Sequence, residues 1–112
     1  MPHDAPQDLA DRIRELLAAE DAVDERRMFG GLAFLVGGHM AVAASGRGGL
    51  MVRVAPDETE DLLRREHVRP MIMAGRETRG WVRIDDAGIR NTRQLRAWVS
   101  RGVARARSLP PK

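Results

Sequence analysis

No cysteine occurs among the 112 residues, which excludes disulfide staples, thiolate metal sites and a cysteine nucleophile. Aromatic residues are nearly as scarce. Two Trp, two Phe and no Tyr leave few rings to stack on nucleic-acid bases. Serine is confined to Ser45, Ser100 and Ser108, so a hydrolytic nucleophile has few places to stand. Met1 to Asp11 carries Asp4, Asp8 and Asp11 and no apolar run, unlike a signal peptide or a membrane span. The expectation is a cytoplasmic protein with no membrane association.

What is present suits a folded domain. Apolar residues make up 43% and charged residues 31% of the chain, a balance that favours one packed core over disorder. The length suits a single domain over residues 1–112, with 1–6 and 108–112 expected to be flexible tails. Net charge is +3 while the sequence pI is about 10.8, because 18 of the 19 basic residues are arginine, which keeps its proton in proteins. Residues 90–112 hold seven basic side chains and no acidic one, which leaves the first 89 at −4.

Leu9, Ile13, Leu16 and Leu17 form the apolar stripe of an amphipathic helix over Pro6 to Ala19. Arg26 to Val36 reads as one strand, bent or bulged at Gly30 and Gly31. His39 to Ser45 and Leu50 to Ala55 follow as strands after glycine-rich turns. Pro56, Asp57 and Glu58 open a short helix ending near Arg64 and Arg65. Pro70 to Ala74 and Gly80 to Asp85 suggest a second hairpin. From Thr92 to Arg107, Leu95, Trp98, Val99, Gly102, Val103 and Ala106 share one helical face behind a plausible Asn91 N-cap. The fold class is therefore α+β, in the order α-β(3)-α-β(2)-α, with a mainly antiparallel five-stranded sheet packed by helices.

Candidate chemistry is thin. His39 and Ser45 at opposite ends of one strand lie about 20 Å apart, too far for a dyad. His3, His39 and His67 lack the spacing that puts two rings on one helix face, so no metal site is expected. Asp85 and Asp86 point to opposite sides of an extended chain and serve better as a strand end than as an acid and base. The glycines at 46, 48 and 49 lead into a strand rather than a helix, which fits a hairpin turn better than a phosphate cradle. No catalytic residue and no cofactor follow, and the protein is read as a non-enzyme.

Two surfaces stand out. Arg93, Arg96, Arg101, Arg105 and Arg107 project from the last helix away from its apolar face. Such a stripe could meet phosphates, but an arginine-rich outer face is first of all what the solvated outside of a terminal helix looks like. On the strands, Met51 and Arg53 oppose Leu50, Val52 and Val54, and Trp81 and Arg83 oppose Val82 and Ile84. If helices cover the valine side, Met51, Arg53, Trp81 and Arg83 form a face for a protein partner, with a homodimer as the expectation.

Met28-Phe29-Gly30-Gly31 after Arg27, followed by Leu32-Ala33-Phe34 and much later by Gly80-Trp81-Val82, resembles the N-terminal domain of the TfoX/Sxy family of competence regulators, over roughly Leu9 to Val103. The resemblance implies the same α-β(3)-α-β(2)-α order and a part in switching on DNA-uptake genes alongside a transcription factor. Full-length members carry a second, helical domain after this one, whereas this chain stops at Lys112. Met28, Phe29, Gly30, Gly31, Gly80 and Trp81 are expected to be structural, since none supplies a nucleophile, base or metal ligand. The resulting expectation is a regulatory or protein-interaction domain, with nucleic-acid binding through the arginine helix as the alternative.

Overall fold

The computed structural model describes residues 5–28 and 30–110. Helix α1 (Ala5–Leu17) leads into four strands, β1 (Val23–Met28), β2 (Gly31–Val36), β3 (His39–Ala44) and β4 (Leu50–Arg53). A 3₁₀ turn over Pro56–Glu58 continues into α2 (Thr59–Leu63). Strands β5 (Val68–Met73) and β6 (Arg76–Ile84), a second 3₁₀ turn over Asp86–Gly88, and α3 (Thr92–Arg107) complete the chain. The strands form one sheet in the order β1-β2-β3-β4-β6-β5, antiparallel at every pairing.

This corrects the expected five-stranded α-β(3)-α-β(2)-α order, because six strands run as α-β(4)-α-β(2)-α. The stretch read as one bent strand is a hairpin: Met28 pairs with Gly31 and Val23 with Val36. Gly30, at φ +71, is a turn residue rather than a bend, since a left-handed conformation suits glycine at a tight hairpin. β1, of sequence Val-Asp-Glu-Arg-Arg-Met, is a sheet edge with its four central residues exposed, so it carries no apolar alternation. The second hairpin is also tighter than expected, since Met73 pairs directly with Arg76.

Helices α1 and α3 cover one face of the sheet. Leu9, Ile13 and Leu17 from α1 and Leu95, Trp98, Val99 and Val103 from α3 are buried against Phe34, Val36, Val42, Leu50, Val52, Val82 and Ile84. Asn91 caps α3, accepting from the Gln94 amide at 2.8 Å while the Gln94 side chain accepts from the Asn91 amide at 3.3 Å. Gly102 lets α3 seat closely, because a Cβ there would lie 2.5 Å from the Ala41 carbonyl oxygen and 2.7 Å from Val42 Cγ1. Gly31 is tighter still, its missing Cβ facing the Ala44 carbonyl oxygen. Arg12 donates to the Ile89 and Arg90 carbonyls at 2.9 and 3.1 Å, fastening α1 to the segment before α3. No helix among the described residues is long and apolar enough to cross a membrane.

Candidate interaction site

The other face of the sheet carries a second apolar cluster to which no helix contributes among the described residues. Ala33, Leu35, Ala43, Met51 and Met71 are buried in it, with Met28, Met40, Met73 and Trp81 packed against them. The register explains the grouping, since side chains directly opposite on paired strands share a face. Ala33 pairs with Ala43, Leu35 with Met40, Ala43 with Met51, Met51 with Arg83 and Arg53 with Trp81. All five described methionines therefore lie on this one face. The small Ala33 and Ala43 occupy its middle, and the longer side chains around them close over.

Over one end of this face lies an open cavity of about 800 Å³, lined by Asp24, Arg26 and Met28 of β1, Leu35, Met40, Arg53, Trp81 and the Gly37-Gly38 turn. A second concavity of about 520 Å³ lies towards the β5 edge, against Met51, Met71, Met73 and Arg83. Beside it Ile72 is 57% exposed.

The arginines that β4 and β6 place on this face, Arg53 and Arg83, differ in how they are satisfied. Arg83 donates to the Ser45 hydroxyl at 3.2 Å and to the Gly48 carbonyl at 2.7 Å. Among the described residues Arg53 donates only to the Met40 carbonyl, at 3.4 Å, and it lies over the Trp81 ring at 5.5 Å from its centroid. Among the described residues it forms no ion pair. Burial pushes its guanidinium below the usual arginine range, and the like charge of Arg105 pushes it the same way. A partly desolvated cation without a counter-charge is costly to hold.

The α3 arginines do not make a free row. Arg101 pairs with Glu58 at 3.1 Å and lies 5.7 Å from the Trp98 centroid, with Arg65 5.4 Å from the same ring. Arg107 pairs with Glu20 at 2.7 Å. Arg105 meets Ser108 at 3.4 Å, and its Nε is buried without a hydrogen-bond partner among the described residues. Arg93 and Arg96 are exposed and form no ion pair among the described residues.

Polar residues elsewhere have structural partners. Ser45 accepts from Arg83 and from the Arg47 amide, while His39 meets the Pro110 carbonyl beyond α3. Asp86 accepts from the Gly49 amide at 2.9 Å, tying down the glycine-rich turn, and Asp85 pairs with Arg69 at 2.8 Å. Among the described residues no group of three His, Cys, Asp or Glu is placed to hold a metal ion.

Of the motif residues, Gly30 turns the first hairpin, Gly31 allows its close approach to β3, and Met28 and Trp81 join the helix-free face. Gly80, at φ +90, donates its amide to the Thr59 hydroxyl at 3.0 Å. Phe29 lies outside the described residues. Sequence reasoning placed Met51, Arg53, Trp81 and Arg83 together but missed Met28, Leu35, Met40, Met71 and Met73 as their neighbours. The recurrence of methionine in the predicted strands, Met40, Met51, Met71 and Met73 among them, fits core filling first and a partner surface second, so it did not by itself single out this face.

The family model described as the TfoX N-terminal domain matches residues 15–106 of this chain. Neither a curated protein nor a solved structure gives a significant match.

Proposed function

The chain belongs to the TfoX N-terminal domain family, and on that premise we propose that it is a non-enzymatic regulatory domain that works by binding another protein through the helix-free face of its sheet. The observation that carries this reading is the collection of Met28, Met40, Met51, Met71, Met73 and Trp81 on a face no helix covers. Methionine is flexible and polarizable, so a methionine floor adapts to a partner's side chains. Tryptophan and arginine are the residue types that most often anchor protein interfaces. The chemistry of the polar residues supports the same reading, since Ser45, His39, Asp85 and Asp86 are engaged in structural bonds.

Nucleic-acid binding through α3 rests on Arg93, Arg96 and Arg105, because Arg101 and Arg107 are already neutralised by Glu58 and Glu20. Position-specific photo-crosslinking separates the two readings. A photoreactive residue replacing Met40 is expected to capture a protein in cells, and one replacing Arg96 is expected to capture neither protein nor nucleic acid. Nucleic-acid adducts from position 96, with nothing from position 40, would overturn the proposal.

A further inference from the structure

We propose that the occupant of this face is an acidic amphipathic helix of another protein, with apolar side chains on Met28, Met40 and Trp81 and a carboxylate on Arg53. The inference rests on the reading of the helix-free face as the binding surface and adds the partner's chemistry. Its first support is the state of Arg53. The side chain sits at the wall of the 800 Å³ cavity, its one acceptor among the described residues is a carbonyl at a long 3.4 Å, and the charge of Arg105 acts on it with no ion pair among the described residues to offset it. An incoming carboxylate supplies the missing counter-charge in a setting where a charge-assisted hydrogen bond is stronger than in water.

Charge around the cavity points the same way, because among the described residues its lining carries two arginines, Arg26 and Arg53, against one carboxylate, Asp24. Three strand spacings separate β1 from β4, roughly 14 Å, and a fourth reaches β6 at about 19 Å. A helix about 10–12 Å across, side chains included, laid along the strands covers a comparable width of sheet. Two other occupants fit less well. A second copy would bring its own Arg26, Arg53 and Arg83 against the same cations. Nucleic acid would satisfy the arginines but leave the Met28, Leu35 and Met40 floor facing phosphate, while Arg53 already occupies one side of the Trp81 ring.

The methionines report on the site directly, because every described one lies on this face. Full-length protein carrying ¹³C-methyl methionine is titrated with three synthetic helical peptides that share one leucine face. Their polar positions are Glu, Gln or Lys. The glutamate peptide is expected to shift the Met28 and Met40 methyl signals and to bind at least about tenfold more tightly than the glutamine peptide, with the lysine peptide weaker still. Arg53→Gln should remove that tenfold advantage, Arg53→Lys should keep part of it, and Arg96→Gln should leave it unchanged.

Equal binding of all three peptides at these methyls would refute the acidic partner and leave the binding face intact. The inference also falls if duplex DNA shifts the same methyls in place of the peptide, or if raising the protein concentration alone does so. No methyl shift with any peptide, together with no protein captured from position 40, would remove the binding face itself.

Discussion

Replacing Gly102 by alanine sets two effects against each other, and the structure decides the sign. Alanine in a helix interior is favoured over glycine by about 0.8–1.0 kcal/mol, so helix propensity alone predicts a more stable protein. The new methyl carbon, however, would lie 2.5 Å from the Ala41 carbonyl oxygen and 2.7 Å from Val42 Cγ1, well inside contact distance. The nearer atom belongs to the backbone of a central strand and has no rotamer to escape into. Relieving the overlap means lifting α3 off the sheet, and overpacking of this kind costs about 1–3 kcal/mol. Because the nearest atom is backbone and cannot rotate away, the cost falls in the upper half of that range, and subtracting the helix gain of about 1 kcal/mol leaves Gly102→Ala less stable by about 1–2 kcal/mol. For a chain of this size that is roughly 4–8 °C in melting temperature. Ala104→Gly, at an exposed site of the same helix, should also destabilise, by about 1 kcal/mol, through propensity alone. Thermal unfolding followed by circular dichroism reads both. A Gly102→Ala protein that melts at or above the wild-type temperature would refute the close seating of α3.

Two further substitutions test the joints that hold the sheet in shape. Thr59→Val deletes the buried hydroxyl that accepts the Gly80 amide at 3.0 Å. It should cost about 1–3 kcal/mol in urea unfolding, because a buried N–H is left without a partner, and a cost near zero would show the bond to be idle. Glu25 is held below the usual glutamate range by its hydrogen bond to Arg14, against a smaller opposing effect of burial, and the pair fastens edge strand β1 to α1 at 2.8 Å. A depressed carboxylate stabilises above its unfolded pKa and loses that contribution as pH falls through its folded pKa. Glu25→Gln should therefore melt below wild type at pH 7, and the gap should close as pH drops below about 4. A gap constant down to pH 2 would contradict the assignment.

The helix-covered half of the molecule is the more legible one. The bounds Thr92–Arg107 and the Asn91 cap follow from a 3.6-residue apolar period and a capping side chain, both local properties of the chain. β1 escapes such reading because an edge strand exposed at Asp24, Glu25, Arg26 and Arg27 buries too little to impose alternation. Its omission also turned the Gly30 hairpin into a bend. The open face was half visible, since alternation separates Met51 and Arg53 from Val52 and Val54. The rest of the cavity wall, from Asp24, Arg26 and Met28, depends on a strand the pattern does not reveal. Likewise the pairing of Arg101 with Glu58 joins residues 43 apart through tertiary structure, which no helical wheel of α3 contains.

The central claim is that the methionine face is covered by a protein partner, and methionine oxidation footprinting tests it most directly. Met28, Met40 and Met73 are half-buried at the rim of the cluster, so peroxide should reach them in the purified protein. The same chain footprinted inside the cells that make it should show Met28 and Met40 protected and the accessibility of Arg93 and Arg96 to arginine-specific labelling unchanged. Equal oxidation in both settings, or protection confined to Arg93 and Arg96, would contradict the account.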